Sequence, residues 1–293
     1  MNLALTVLEI VAPVFLLAAI GLVWVKAGFE YRVEFVTRLA MTLSVPCLIF
    51  TALMKTRIES EALTGLLLAA IAAYAVLTLA AALLVWIVGL DARSYLAPLI
   101  FGNTGNLGLP LALFAFGEIG LSYAVVVFAV MAVWSFTFGI WVVSGGGSVT
   151  RALKEPLLWA TLLGGLFLWQ GWVTPRWLTN TLELTGQMAI PMMLITLGVA
   201  VARLNAGRML QASLLALVKV VLCTGVAWGL GRLFHLDDVA FAVLVLQVAT
   251  PVAVTSYLLA EKYGADSEAV AGLVVASTLA SVLYLPLLLA AVL

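Results

Sequence analysis

Long apolar stretches follow one another along the chain, with only short polar connections between them. A membrane-spanning helix needs about 20 mainly apolar residues. Ten stretches meet this requirement, and they cover residues 4–25, 34–54, 63–89, 95–118, 120–143, 155–173, 178–201, 209–233, 238–261 and 268–292. The pattern therefore predicts an all-α membrane protein with ten transmembrane helices, numbered one to ten below.

Prolines recur at a nearly constant interval. Pro46 in helix two and Pro191 in helix seven are 145 residues apart, and Pro110 in helix four and Pro251 in helix nine are 141 apart. Each half then holds five helices. Because five is odd, two similar halves insert with opposite orientation, which is the inverted repeat typical of secondary transporters. The predicted first repeat, Gly/Ser linker and second repeat are residues 1–143, 144–154 and 155–293.

Helix four is interrupted at what should be membrane depth. Three glycines recur at every third position, Gly102, Gly105 and Gly108, and Pro110 follows them. Glycine weakens a helix and proline removes a backbone donor, so the helix is expected to break here. A break in hydrocarbon is tolerated only where protein or a water-filled cavity receives the freed backbone groups. Such broken helices mark the substrate site of transporters.

The inverted repeat brings the breaks of helices four and nine together as a crossing near the midplane. Half-helices that start near Pro110 and Pro251 then aim their N-termini at one cavity, where free N–H groups and the helix dipole favour an anion. Six side chains could orient it by hydrogen bonds: Asn103, Thr104, Asn106, Gln247, Thr250 and Thr255. The alternative is two ordinary proline kinks whose polar groups bond neighbouring helices. The symmetric pairing favours a substrate site.

Lys219 lies about ten residues into helix eight. A charge at the centre of a membrane helix costs about 2.5–3.5 kcal/mol on insertion scales and is functional by default. It could hold a carboxylate, change protonation during transport or pair with an acid. The structural alternative is that it bonds the carbonyls of a broken helix. The sequence offers no obvious acidic partner, so both interpretations stay open.

Composition and charge narrow the class of protein. Only 10% of the residues are charged and 65% are hydrophobic, whereas soluble domains carry about 25% charged residues. The net charge is zero, so nucleic acid is not an expected partner. Nine Lys and Arg residues fall in odd-numbered connections against four in even ones, which predicts that both termini lie outside the cytoplasm.

The sequence offers little support for catalysis or for a metal site. Cys47 and Cys223 are too few and too far apart for a metal set, and His235 is the only histidine. The chain has no metallopeptidase, nucleophile-elbow or phosphate-loop motif. We expect no cofactor, no metal and no enzymatic activity, and transport driven by gradients.

The run from Asn103 to Pro110 resembles the fourth-helix motif of the auxin efflux carrier family, which has Asn-Thr followed by Gly-x-Pro. The stretch from Pro251 to Tyr263 resembles the family's ninth helix, and Lys219 falls where the family carries a basic residue. The resemblance implies that Asn103 contacts the substrate carboxylate and that Pro110 and Pro251 are the crossing prolines.

The same resemblance implies an architecture and a mechanism. Helices one, two, six and seven would form a scaffold that mediates a homodimer. Helices three to five and eight to ten would form a transport domain that moves like an elevator. The short chain is similar to prokaryotic members described as malate or malonate permeases.

The expected function is therefore secondary transport of a small organic anion, a carboxylate, across the cytoplasmic membrane of a prokaryote. Membrane lipid and a second copy of the chain are the expected partners. One alternative is a sodium-coupled symporter of the bile-acid type, although the crossing holds no Asp or Glu. Another is a channel, which single-channel currents would reveal. An intramembrane enzyme is the weakest option.

Overall fold

The structure is a computed structural model that describes residues 3–55, 60–146, 156–203 and 209–293. Over these residues it is all-helical, as predicted, and the sole β-type contact is a bridge between Gly102 and Val252. The α-helices are α1 (Leu3–Lys26), α2 (Val33–Leu39), α3 (Val45–Lys55), α4 (Ser60–Val88), α5 (Ala92–Ile100), α6 (Leu109–Trp134), α7 (Ile140–Val143), α8 (Pro156–Gln170), α9 (Arg176–Gln187), α10 (Ala189–Arg203), α11 (Met209–Leu233), α12 (Asp238–Val248), α13 (Val254–Tyr263) and α14 (Ser267–Val292). Wider π-helical turns occupy Ala40–Ser44, Thr104–Gly108 and Ser135–Gly139.

Among the residues that the structure describes, five helical stretches are long and apolar enough to cross a membrane. They are Val33–Lys55, Glu61–Val88, Thr104–Val143, Met209–Leu233 and Ser267–Val292. Shorter apolar helices accompany them at Phe15–Lys26 and Asp238–Val248. These lengths fit a multi-pass membrane protein. Helix lengths alone do not establish ten spans or an inverted repeat, so both stay predictions. The predicted linker, residues 144–154, lies outside the described residues beyond Gly146.

The longest stretch, Thr104–Val143, turns at Gly117. The backbone there has φ 64° and ψ −153°, which is outside the helical region. Glycine is the residue that adopts a positive φ at no steric cost. The turn falls at the start of residues 117–120, where the sequence predicted the division between helices four and five.

The interruption near Pro110 differs from the prediction in its position. Helix α5 ends at Ile100, Phe101 is extended, and the chain becomes helical again at Thr104. Pro110 is the second residue of α6 and is buried. The expectation that a half-helix starts near Pro110 is therefore corrected to a start at Thr104. Pro110 therefore lies inside the resumed helix, and the wider π-helical turn Thr104–Gly108 before it is the kind of local adjustment by which membrane helices accommodate a proline.

Glycines allow the helices to touch backbone to backbone. A Cβ on Gly198 of α10 would lie 1.7 Å from the Ala18 carbonyl of α1, and one on Gly21 would lie 2.0 Å from the Ile195 carbonyl. In the same way, Gly186 of α9 packs on the backbone of Leu48 in α3. Small residues are what close helix packing in membranes requires.

The two helices that lead into the interruptions, α5 and α12, are almost completely buried. Every residue of α5 from Ser94 to Ile100 is buried, and so is every residue of α12 from Ala240 to Val248. Helices α4, α6, α11 and α14 pack around them. Polar groups at the ends of α5 and α12 are consequently shielded from lipid.

Candidate functional site

The two interruptions meet and satisfy part of each other's backbone. The Asn103 N–H donates to the Pro251 carbonyl at 2.6 Å, next to the bridge between Gly102 and Val252. Helix α14 supplies further partners, because Ser277 Oγ accepts from the Val252 N–H at 3.0 Å and Tyr284 donates to the carbonyl of Ala249 at 2.8 Å. Freed backbone groups at membrane depth need partners of this kind.

Two glycines bring the interruptions into contact. A Cβ on Gly102 would lie 2.2 Å from Thr250 Oγ1, and a Cβ on Gly108 would lie 2.2 Å from Gln247 Oε1. Neither position has room for a side chain. The third glycine, Gly105, is less constrained, since its Cβ would lie 3.1 Å from the ring of Phe128.

Several polar side-chain atoms at this contact are buried and have no hydrogen-bond partner among the described residues. They are Asn103 Nδ2, Thr104 Oγ1 and both amide atoms of Gln247. Asn103 is 4% exposed, and Thr104 and Gln247 are fully buried. An unsatisfied buried polar group costs about 1–3 kcal/mol. Such groups call for an explanation such as a bound water, ion or ligand.

A cavity of about 40 Å³ adjoins the contact. Its polar lining comes from Asn103, Asn106, Ser135 and Thr255, and among the described residues that line it none is charged. The remaining walls are apolar or glycine: Met41, Phe101, Gly102, Gly105, Phe128, Met131, Ala132, Phe136 and Ala253. This volume holds at least one water molecule.

Two helices begin beside the cavity. One begins at Thr104, directly after Asn103, and the other at Val254, directly after Ala253. The first N–H groups of a helix have no partner within it, and the helix dipole makes that end positive. The cavity is therefore uncharged in its side chains but electropositive in its backbone, which favours an anion over a cation.

Lys219 lies elsewhere. It is 2% exposed in α11, and its ammonium donates to Cys223 Sγ at 3.6 Å. It does not line the cavity, and no ion pair joins it to a carboxylate of the described residues. The structure thus places Asn103, Asn106 and Thr255 together at the cavity and Thr104, Gln247 and Thr250 at the helix contact behind it. Whether Lys219 takes part in binding stays a prediction.

Several residues of the site could not be found from the sequence. Ser277 and Tyr284 bond the second interruption from 25 and 35 residues further along the chain, and Phe128 faces Gly105 from the far half of α6. Nothing local distinguishes them from other residues of apolar helices. Phe101 differs, because it lies within the interruption itself.

The described residues form several membrane-length apolar helices, and a water-sized cavity with a partly polar lining lies between the interrupted ones. These features define a multi-pass membrane protein of the transporter class. The chain belongs to the Membrane transport protein family, the family of the auxin efflux carriers, which it matches over residues 6–149 and 140–289. The resemblance drawn from the motifs is thereby confirmed. A relative from Methanothermobacter thermautotrophicus, described as an uncharacterized transporter, is 27% identical over 95% of this chain and 96% of its own length.

Proposed function

We propose that the protein is a secondary carrier that binds a small organic anion where the interrupted helices meet and carries it across the membrane. The observation that carries this proposal is the cavity at Asn103. Two helix starts face it, a buried amide beside it lacks a partner, and no charged side chain lines it among the described residues. An anion placed there would satisfy the free donors.

The packing of the helices supports ten spans in an inverted repeat. Helix α1 packs on α10, which pairs predicted helix one with helix seven, and α3 packs on α8, which pairs helix two with helix six. Exchanging the two halves turns the first pair into the second. The same exchange relates α4 against α6 to α11 against α14, that is, helices three and five to eight and ten.

The lining of the cavity favours an anion with a single carboxylate. One carboxylate can be held by the Asn103 amide and the backbone N–H groups at the helix starts. A second would face Met and Phe side chains without a cation, and burying an unpaired charge costs several kcal/mol. The substrate class that fits is therefore a monocarboxylate with a compact apolar body, rather than a dicarboxylate.

The size of the cavity supports a carrier that changes conformation. Small-molecule sites occupy about 300–1,000 Å³, whereas this cavity has about 40 Å³. The substrate can enter only if the walls separate. Met41 belongs to predicted helix two of the scaffold, and the facing residues belong to the predicted transport domain, so sliding of one domain along the other would open the site.

A binding measurement tests the proposal. The purified protein is screened by thermal shift against monocarboxylates with small apolar bodies and against dicarboxylates, with and without sodium. A ligand that binds only the folded state raises the melting temperature. We expect a shift from monocarboxylates that is independent of sodium and is lost in Asn103→Ala.

The matched control is Asn180→Ala, which makes the same change at an exposed position of α9. That variant should keep the shift. A shift from dicarboxylates alone would overturn the substrate class, and a shift that survives in Asn103→Ala would remove the crossing as the site. Uptake by liposomes containing the protein, under an imposed gradient, then tests transport itself.

A further inference from the structure

A second, larger cavity of about 620 Å³ lies between α3, α6, α9 and α10. Its walls include Leu113 and Phe114 of α6, Thr51 of α3 and Pro191 of α10. Leu113 is nine residues after Thr104, where the helix resumes, which is about 14 Å along the helix axis. The cavity therefore begins about two and a half helical turns from the interrupted segment that carries Asn103 and extends along α6 from there towards Glu118.

Charged side chains occupy the other end of this cavity. Lys55 forms an ion pair with Glu183, with side chains 55% and 29% exposed, and Glu118 is exposed in the facing wall. Among the described residues that line the cavity, one lysine thus stands against two glutamates. Because Lys55 is already paired, Glu118 is the carboxylate without compensation there.

The ion pair and Glu118 belong to different walls. Gly186 packs on the backbone of Leu48 and holds α9 against α3, so Lys55 and Glu183 lie on one packed unit. Glu118 comes from α6, immediately after the turn at Gly117. By the predicted division, the first wall is scaffold and the second is transport domain, so the cavity lies along the surface where the domains would slide.

We propose that this cavity is the entrance to the crossing from the membrane face that carries Glu118, and that Glu118 is a specificity-determining residue which disfavours doubly charged anions at that entrance. This inference rests on the proposed function. A fixed negative charge repels a dianion twice as strongly as a monoanion, and a cleft with low-dielectric walls strengthens the effect. The charge of Glu118 would thus favour monoanions, as does the lining at Asn103, which can hold only one carboxylate.

The electrostatics of the entrance can be measured without knowing the substrate. Ser122 lines the cavity one turn from Glu118, so Ser122→Cys places a thiol there. In the full-length protein carrying Cys47→Ala, the labelling rates of a cationic and an anionic methanethiosulfonate are compared. We expect the cationic reagent to react faster, and the ratio of the two rates to fall by roughly threefold or more in Glu118→Gln.

Glu61→Gln is the matched control, since Glu61 lines a different cavity. It should leave the ratio unchanged. Failure of both reagents to label Ser122→Cys would overturn the entrance. An unchanged ratio in Glu118→Gln would overturn the role of its charge.

Competition in transport completes the test. Uptake of a monocarboxylate by proteoliposomes is measured against succinate as competitor, at low and high salt. Glu118→Gln should make succinate compete roughly two- to tenfold better at low salt, with a smaller change at high salt. If the parent protein moves no carboxylate, the proposed function is overturned, and so is the proposed role of Glu118. If uptake proceeds and Glu118→Gln leaves the competition by succinate unchanged, only the proposed role of Glu118 is overturned.

Discussion

The side chain of Gln247 occupies the space that a side chain at Gly108 would need. The atoms nearest to a Cβ at Gly108 would all belong to the side chain of Gln247, whose amide is buried and has no hydrogen-bond partner among the described residues. The nearest obstacle to a side chain at Gly108 is thus a side chain and not a backbone atom. This contact can therefore be separated from the rest of the crossing by mutation.

We predict that Gly108→Ala destabilises the protein by about 1–3 kcal/mol, because inserting a methyl group into a packed contact forces neighbours to move. In a Gln247→Ala background the same change should cost markedly less, since the obstructing amide is gone. Thermal unfolding of the four proteins of this double-mutant cycle gives the coupling. Additive effects would mean that the two residues are not in contact.

The effect of a Lys219 substitution on protein stability distinguishes a structural role of this residue from a functional one. Replacing a buried charge by an apolar side chain of similar size is often neutral or stabilising. We predict that Lys219→Met keeps or raises the melting temperature and reduces transport. Lys262→Met, at an exposed position of α13, is the control and should change neither. A clear loss of stability in Lys219→Met with transport intact would assign Lys219 to structure.

At the scale of elements, α14 is what makes the second interruption possible. Ser277 and Tyr284 bond the backbone on either side of Pro251, so α12 can end and α13 can begin without exposing polar groups. Ser281 of the same helix is also buried, but its hydroxyl bonds only the Thr278 carbonyl within α14. The two serines thus differ in what they stabilise.

We predict that Ser277→Ala costs about 1–3 kcal/mol, because it leaves the buried Val252 N–H without an acceptor. Ser281→Ala should cost less, since the carbonyl it releases already belongs to a continuous helix. Melting temperatures test the difference, and hydrogen exchange at Val252 should accelerate only in Ser277→Ala. Equal losses of stability would show that the bond to Val252 is not special.

The elements also show what a sequence can predict in a membrane protein. Apolar stretches predict where helices lie, because length and hydropathy decide what can sit in lipid. The turn at Gly117 lies where the local sequence predicted the division between helices four and five. The interruption itself was predicted, but its start was placed near Pro110 instead of Thr104. A wider helical turn before a proline lets a membrane helix accommodate it, so Pro110 does not locate the first helical residue.

The partners of the crossing were out of reach for a different reason. Ser277, Tyr284 and Phe128 reach it by tertiary packing, and in a chain whose helices are apolar on every side no periodicity distinguishes an inward face. The grouping of Asn103, Asn106 and Thr255 at one cavity was accessible because the proline repeat related their helices. The proline repeat did not predict where Lys219 lies relative to the crossing.

At the scale of the whole molecule, side-chain contacts sort the connections between predicted helices into two groups. Arg93 donates to the carbonyls of Val143 and Tyr263, at 3.2 and 2.7 Å, which joins the third, fifth and ninth connections. Glu61 and Asp237 line one cavity of about 660 Å³, which joins the second and eighth. These three odd and two even connections therefore gather at different places, which is what the predicted ten alternating spans would require.

This sorting allows the orientation to be tested with two cysteines. The excess of Lys and Arg in odd connections predicts that the Arg93 side is cytoplasmic, because such residues are retained there. In a Cys47→Ala background, Lys262→Cys in the ninth connection should react with a membrane-impermeant maleimide only after the cells are permeabilised. Leu293→Cys, 53% exposed at the end of α14, should react in intact cells. The opposite pattern would place both termini in the cytoplasm and turn the Glu118 entrance to the inside. Equal reaction of both sites in intact cells would contradict ten spans, since an odd number of crossings then separates the ninth connection from either terminus.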